Sequence, residues 1–313
     1  MAEIFYWFLN MQIIASLCAL VILLLRRFRR IPRRLICWLW LIPALRAILP
    51  FGAGGAWGSY GLVALLSRIW GRPGRISGLS SKVPVSVSNY IAAAESYDPL
   101  TFPRSWQEDL FRWGGYIWLL IAAAFILAFF LIYGMTIKEL RDAFPLKDHK
   151  GVWVSEKLQG AALYGILRPR ILLPAGTEAS PHLAYILLHE ETHRARGDNL
   201  RRVLAFLAAG ICWLNPLSWL CLKCFLTDLE LACDQQVLSR IGEEKKKEYA
   251  LALIEQAAPK NLFACAFGGA AIRLRVENIL SFKRMGLLAM LAMASFAALL
   301  AWFLLTNPTG GVR

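Results

Sequence analysis

Four long apolar stretches divide this sequence, and they lie at residues 4–25, 35–51, 114–134 and 285–305. A helix needs roughly 20 apolar residues to cross about 30 Å of hydrocarbon, so each stretch approaches the length of a transmembrane helix. The second stretch is the shortest. It contains Pro43 and also Arg46, which lies near enough to one end for its charge to snorkel to the interface. The pattern predicts a mainly α-helical membrane protein with about four transmembrane helices.

The residues between the third and fourth stretches show shorter and mixed patterns. The run 165–174 predicts a strand, and Pro169 favours an edge position because proline cannot donate to a ladder. Ser180 and Pro181 predict the cap and first residue of a helix that ends at Gly197. Two further helical patterns follow at 230–240 and 248–256. The sequence therefore predicts an α+β domain in this part of the chain.

A further apolar run covers residues 203–225 and is interrupted by Asn215 and Pro216. A fifth transmembrane helix would place its two flanks on opposite sides of the membrane. The proline and the need to keep both flanks on one side favour a buried or re-entrant helix pair.

Orientation follows from the short loop at 26–34, which contains six arginines. The positive-inside rule assigns this loop to the cytoplasm and the N-terminus to the outside of a bacterial plasma membrane. The domains predicted in this way are an N-terminal membrane region at 1–134 with an outer loop at 52–113, a cytoplasmic domain at 135–284, and a last helix with a short outer tail at 285–313.

Composition decides between two kinds of partner. The formal net charge of +14 would suggest nucleic acid in a soluble protein, but 58% of the residues are hydrophobic. In such a chain, clustered arginines are typical of cytoplasmic anchoring and of attraction to anionic lipid. We therefore expect the lipid bilayer, and no direct nucleic acid, as a partner. Seven cysteines, an odd number lying mostly in apolar segments, argue against a disulfide scaffold.

The candidate chemistry lies in the segment HEETH, which matches the pattern H-E-x-x-H. His189 and His193 are four residues apart, so on a helix both imidazoles face one metal ion. Glu190 is adjacent to the first ligand and can reach a water at the metal, where it would act as general base. One zinc ion is the predicted cofactor.

A catalytic zinc site needs a third protein ligand, and the segment DLELACDQQVL supplies candidates. Glu230 and Asp234 lie four residues apart and share a helical face. The simplest assignment makes Glu230 the third ligand and Asp234 an acceptor that orients a ligand histidine; the reverse assignment stays open. Asp198, five residues after the second histidine, is another candidate for such support.

Several motifs together resemble the BlaR/MecR family of integral membrane metallopeptidases, the antibiotic-sensor transducers. They are GILRPRILLP before the helix, HEETHRARGDNL at the site, WLNPLSW after it, and ELACD, which matches the family's E-x-x-C-D. The resemblance covers most of the chain. It implies a gluzincin-type domain in which His189, His193 and Glu230 bind zinc and Glu190 is the base.

The resemblance also implies regulated proteolysis. A signal outside the cell would activate the cytoplasmic site, which would cleave the chain itself or a winged-helix transcriptional repressor. An edge strand at 166–173 would pair with the extended protein substrate. The residues predicted for this pairing are Ile166, Leu167, Ile171 and Leu172.

One departure from the family concerns the sensor. Family members that detect beta-lactams carry a penicillin-binding-like domain after the last span, whereas eight residues follow Leu305 here. Beta-lactam sensing is therefore not predicted from this sequence, and the routes left open for the signal are the outer loop, a partner protein and the lipid. A housekeeping protease resembling HtpX or the CAAX prenyl proteases is the alternative enzyme, and a non-proteolytic receptor or scaffold is the alternative outside enzymes. The oligomeric state stays open, with a homodimer among the options.

Overall fold

The computed structural model describes residues 1–28, 31–48, 53–55, 105–139, 142–146, 149, 151–158, 160–166, 168–257, 272–283 and 286–308. The chain forms two compact units. The first comprises residues 1–125, 208–222 and 287–313, and the second comprises residues 126–207 and 223–286. The division differs from the predicted domain at 135–284, because residues 208–222 group with the first unit.

The helices in chain order are α1 (Ala2–Arg26), α2 (Arg33–Leu39), α3 (Leu41–Ile48), α4 (Ser105–Glu139), α5 (Leu183–Arg196), α6 (Asp198–Ile211), α7 (Pro216–Ile241), α8 (Lys246–Ala257), α9 (272–280) and α10 (Leu287–Leu305). The strands are β1 (Ala53–Gly55), β2 (Phe144–Pro145), β3 (Val152–Ser155), β4 (Ala162–Tyr164), β5 (Arg170–Pro174) and β6 (Thr306–Pro308). The described chain is mainly helical, as the apolar pattern predicts.

In the part of the chain that the structure describes, three helices are long and apolar enough to cross a membrane. They cover Ile4–Arg26, Glu108–Met135 and Leu287–Leu305, which correspond to the first, third and fourth predicted stretches. The third helix begins earlier than predicted, because α4 starts at Ser105 within the stretch assigned to the outer loop. Apart from 53–55 and 105–113, that loop lies outside the described residues.

The second predicted stretch is divided into two short helices, α2 and α3, instead of one continuous span. Pro43 explains the break. It has no backbone N–H to donate to the carbonyl of Leu39, and its ring would clash with that carbonyl in a continuous helix. Arg46 does not snorkel as predicted. Its side chain is buried, and its Nε donates to the carbonyl oxygen of Leu304 at 3.0 Å.

Polar and aromatic contacts hold the first unit together. Gln12 of α1 donates to the carbonyl of Ala47 in α3 at 3.1 Å. The side-chain nitrogen of Asn215, between α6 and α7, lies 2.9 Å from the Ser16 hydroxyl and 3.3 Å from the Gln12 side-chain oxygen. The helix break predicted at Asn215 and Pro216 is confirmed, since α6 ends at Ile211 and α7 begins at Pro216.

Close packing of α1 against α4 depends on a glycine. A Cβ atom added at Gly114 would lie 2.8 Å from the ring of Phe5. That ring is held between Phe8, Phe111 and Trp118, whose ring centroids lie 6.3 to 6.5 Å away. The aromatic cluster therefore leaves the ring little room to give way.

We expect the substitution Gly114→Leu to destabilise the protein by about 1–3 kcal/mol through overpacking, measured as a lower melting temperature in detergent. Gly134→Leu on the same helix is the control, because a Cβ at Gly134 meets nothing within 4 Å. Both variants gain the same helix propensity, so the difference between them reports the clash. Equal melting temperatures would contradict this packing.

The second unit contains a four-stranded sheet with strand order β2-β3-β5-β4. Strand β5 pairs in parallel with β3 and antiparallel with β4, and β2 is antiparallel to β3. The buried side chains of Ile171 and Leu173 join Val152, Leu163 and Ile186 in one hydrophobic core. This core fixes α5 against the sheet.

The prediction of an edge strand at 166–173 is wrong. The strand begins at Arg170, and Ile171 and Leu172 pair with β3 on one side and β4 on the other. Ile166 lies in the loop before the strand, and Leu167 lies outside the described residues. Pro169 misled the prediction because it precedes the strand and takes no position in the ladder. The edge nearest the candidate chemistry is β4.

Helix α5 begins two residues later than predicted: its cap is His182 instead of Ser180, and its first residue is Leu183 instead of Pro181. The hydroxyl of Ser180 accepts from the backbone N–H of His182 at 3.1 Å in the turn before the helix. The predicted end is confirmed, because Gly197 caps the helix with φ of 65°. The helical patterns predicted at 230–240 and 248–256 lie within α7 and α8.

Candidate metal centre

One turn of α5 carries the HExxH motif, and the side chains of its two histidines and its first glutamate are buried. His189, Glu190 and His193 are 3%, 5% and 2% exposed. Gly197 ends the helix in the left-handed conformation that glycine adopts at little cost, so the chain turns at once into α6. That turn brings Asp198, the first residue of α6, back against the second histidine.

The second histidine is oriented by a carboxylate. His193 Nδ1 lies 2.7 Å from Oδ2 of Asp198, whose side chain is fully buried. A carboxylate accepts, so Nδ1 carries the proton and Nε2 presents its lone pair on the opposite side of the ring. This is the arrangement in which a histidine binds a metal through Nε2 with an outer carboxylate fixing its tautomer.

The first histidine is oriented through a tyrosine. Tyr249 of α8 donates its hydroxyl proton to Oδ1 of Asp234 at 2.8 Å. Its oxygen lies 2.8 Å from His189 Nδ1 and has only acceptor capacity left, so Nδ1 donates to it. Asp234 Oδ1 is also 3.5 Å from that Nδ1. We call this chain of hydrogen bonds, from His189 through Tyr249 to Asp234, the relay. In the neutral ring it leaves Nε2 of His189 as an acceptor.

The Nε2 atoms of His189 and His193 face the same space, and the carboxylate of Glu230 faces that space as well. The two nitrogens lie 3.1 Å apart, and the two carboxylate oxygens of Glu230 lie 3.6 Å from one or the other. Ligand atoms about 2.0–2.1 Å from a tetrahedral zinc ion are separated from one another by about 3.3 Å. The three side chains therefore fit a zinc ion in both donor chemistry and spacing.

The charges of these groups are coupled. Burial opposes a charge on His189, but the Cys233 sulphur and the Glu230 carboxylate raise its pKa to about 9. The pKa of His193 is also raised, against the effect of burial, by Asp198 and its other acidic neighbours. Burial would raise the pKa of Glu230, yet the two histidines and Arg275 hold it well below the usual range. A cation is thus favoured at this position.

Glu190 and the metal-facing nitrogens open onto a cleft of about 270 Å³. Its walls include Gly160, Ala161, Ala162 and Leu163 from β4 and the segment before it, and also Glu190, Glu230, Arg202 and Arg275. The cleft gives the candidate metal position an open side, which a catalytic site requires and a closed structural site lacks.

Cys233 offers a competing ligand. Its sulphur, with one ring nitrogen of each histidine, forms a group whose atoms lie within 4.8 Å of one another. The sulphur is 3.6 Å from His189 Nδ1, the nitrogen that faces Tyr249. Cys233 is fully buried and is not among the residues that line the cleft. Glu230, on the open side, is the better candidate for a catalytic ion.

The sequence motifs predicted six of these residues but missed three others. Arg202 of α6 and Arg275 of α9 flank Glu230, and Tyr249 links Asp234 to His189. No local pattern marks them, because they reach the site from helices whose positions depend on tertiary packing. Arg275 is the first residue of the segment RVENIL, in which the sequence alone predicted no site residue.

An HExxH helix that faces an acidic residue of a second helix, in a chain with long apolar helices, is typical of membrane-bound metallopeptidases. Comparison with known families agrees with this class. The family BlaR1 peptidase M56 matches residues 6–279, so the chain belongs to that family. The resemblance inferred from the sequence motifs is confirmed.

Curated relatives are similar at low identity. The Regulatory protein BlaR1 of Bacillus licheniformis is 26% identical over 162 residues, which are 47% of this chain and 27% of the relative. The Methicillin resistance mecR1 proteins of Staphylococcus aureus and Staphylococcus epidermidis are 24% identical over 112 residues, 35% of this chain and 19% of each relative. The match thus spans about a quarter or less of the length of these relatives.

We expect Tyr249→Phe to lower zinc affinity about 10- to 100-fold, the usual effect of losing a partner that orients a ligand histidine. The variant removes the hydroxyl that fixes the tautomer of His189 but retains the ring that packs in the core. Tyr185→Phe is the control, because that hydroxyl contacts Glu248 at the surface. Affinity is measured by competition with a chromophoric chelator, and an unchanged affinity in Tyr249→Phe would contradict the relay.

Zinc affinity should rise with pH between 6 and 9, because the pKa of His189 is raised to about 9 and the pKa of His193 is raised as well. The sign follows from the raised pKa, since a proton held more tightly by the metal-free site must be displaced by the ion. Each displaced proton contributes about tenfold per pH unit. Titration of the metal-free protein at fixed ionic strength checks this, and a constant affinity from pH 7 to 9 would refute it.

Proposed function

We propose that the protein is a membrane-embedded zinc endopeptidase that acts in signal transduction. The observation that carries this proposal is the convergence of His189, His193 and Glu230 next to the buried carboxylate of Glu190, at the floor of an open cleft. Family membership supports a peptidase, and the donor set supports zinc as its metal.

The three side chains would hold one zinc ion through two imidazole nitrogens and a carboxylate oxygen. When bound, the ion would supply Lewis acidity and would lower the pKa of a water molecule towards neutrality. Asp198 fixes His193 directly, and Asp234 fixes His189 through Tyr249. Both aspartates therefore act on the ligands and leave the open position to water and substrate.

Glu190 is the general base of this proposal. Its carboxylate is 5% exposed and lines the cleft beside both histidines. It would accept a proton from the attacking water and then deliver that proton to the amine nitrogen of the departing peptide fragment. General base catalysis of this kind contributes typically 10²- to 10⁴-fold in rate.

We propose that an extended protein substrate pairs with the edge formed by β4 and the segment before it. Gly160, Ala161 and Ala162 line the cleft, and their small side chains leave room beside the HExxH helix. The side-chain nitrogen of Asn199 donates to the carbonyls of Leu163 and Gly165 at 2.8 and 2.9 Å. These bonds occupy the carbonyls of Leu163 and Gly165, so we expect the substrate to pair with the backbone of residues 160–162, which line the cleft. Strand addition is a common mode of peptide recognition.

The biological role that we propose is regulated proteolysis on the cytoplasmic side of a bacterial plasma membrane. The arginine-rich loop at 26–34 supports this orientation through the positive-inside rule. The relatives are described as a regulatory protein and as methicillin resistance proteins. By analogy the substrate is a transcriptional repressor of the winged-helix class, or the chain itself at the charged segment 277–284.

Replacement of the base gives the sharpest test. Glu190→Gln should retain one zinc ion per chain and lose at least about 100-fold in cleavage rate, because the amide cannot accept the proton. Glu191→Gln is the matched control, since the neighbouring carboxylate is exposed and lies 3.7 Å from Arg194. Cleavage of a co-expressed candidate repressor and of the chain itself is followed in membranes by mass spectrometry.

Each outcome separates the alternatives. Equal cleavage by the wild type and by Glu190→Gln would refute the assigned base. Bound zinc without cleavage of any substrate by the wild type would favour a receptor or scaffold. Activity in wild type and Glu191→Gln, with loss in Glu190→Gln, is the result that the proposal predicts.

A further inference from the structure

The segment that precedes the last apolar helix in the sequence packs on the core of the second unit. Helix α9 and the residues after it, 272–283, carry one apolar stripe with a spacing of three residues: Val276, Ile279 and Phe282. Ile279 is fully buried in a core cluster that also contains Cys233 and Tyr249, and its two companions pack against that cluster. The segment is therefore part of the domain and continues along the chain into α10.

The same segment inserts one charged side chain into the candidate metal centre. Arg275 forms a two-pronged pair with Asp234, in which Nε and Nη2 donate to the two carboxylate oxygens at 2.8 Å each. Its Nη1 lies 3.4 Å from Oε2 of Glu230, and its Nη2 lies 3.2 Å from Nε2 of His189. Only 19% of the side chain is exposed.

We infer that Arg275 is a positioning residue for the metal centre, through which zinc binding and the anchoring of segment 272–283 stabilise each other. This inference rests on the proposed function, because it takes His189 and Glu230 as metal ligands. It goes beyond that function by naming the element through which the centre is linked to the rest of the chain.

Arg275 pairs with two carboxylates, those of Asp234 and Glu230. Asp234 is fully buried and receives the Tyr249 hydroxyl, so its position sets the orientation of the His189 ring. A guanidinium holds a carboxylate in one orientation through two parallel bonds, which an ammonium cannot do. Without Arg275, Asp234 would lose its guanidinium partner, and the position of Glu230 would be less restricted.

Linkage makes the coupling reciprocal. If Arg275 orders the ligands for zinc, zinc must order Arg275 and its segment by the same factor. Residue 283 is followed after three residues by α10, which begins at Leu287 and is long enough to cross a membrane. The backbone therefore connects this apolar helix to Arg275, whose side chain contacts the proposed metal ligands His189 and Glu230.

The test compares three variants of the full chain in detergent. Arg275→Met removes the charge and leaves a side chain of similar length. Arg275→Lys keeps the charge but cannot make the two parallel hydrogen bonds to Asp234. Arg273→Met is the matched control, because Arg273 is 82% exposed and pairs only with Glu277 among the contacts of the described chain. Zinc affinity is measured by chelator competition, and hydrogen exchange of residues 272–283 is measured with and without zinc.

We expect zinc affinity to fall about 10- to 100-fold in Arg275→Met, less in Arg275→Lys, and not at all in Arg273→Met. In the wild type, zinc should slow exchange across 272–283, and in Arg275→Met it should not. Zinc affinities within threefold of wild type in both Arg275 variants, or zinc-independent exchange of the segment in the wild type, would overturn the inference. If Arg275→Met does not fold, Arg275→Lys and the wild-type exchange still decide. Failure of the wild type to bind zinc would instead refute the proposed function.

Discussion

Two imidazole nitrogens that direct lone pairs at the same space need a cation between them, and much of the second unit serves to hold them there. Nε2 of His189 and Nε2 of His193 lie 3.1 Å apart because each ring is fixed from its other side, one by Tyr249 and one by Asp198. Burial of both rings makes uncompensated repulsion costly. The carboxylate of Glu230 completes the candidate site, and a divalent ion would balance its charge.

The supporting residues explain why the domain has this arrangement of helices. Helix α5 provides both histidines, the turn at Gly197 returns Asp198 to the second of them, and α7 delivers Glu230 and Asp234 from one face. Helix α8 and α9 each contribute one side chain to this polar cluster. The hydrophobic core around Cys233 and Ile279 holds these helices together directly below the polar groups. The same few helix turns therefore provide both the hydrophobic core and the polar side chains of the candidate site.

Local signals in the sequence predicted the parts of this site that depend on local structure. The four-residue spacings, the helix end at Gly197 and the break before Pro216 are consequences of helix geometry and backbone conformation. Tyr249, Arg202 and Arg275 could not be predicted, because they meet the site only after distant helices pack. The edge strand was misassigned for a similar reason: the position of a strand in a sheet is set by its neighbours, and Pro169 lies just outside the ladder. The proline in the second apolar stretch had been noted, but its effect, a division into α2 and α3, had not been predicted.

The identity and geometry of the metal ligands are the central claim, and X-ray absorption at the zinc edge tests them most directly. The full chain, purified in detergent and loaded with one equivalent of zinc, should show only nitrogen and oxygen neighbours at about 2.0–2.1 Å, from two histidines, a carboxylate and water. A sulphur neighbour at about 2.3 Å would identify Cys233 as a ligand in place of Glu230 and would contradict the account.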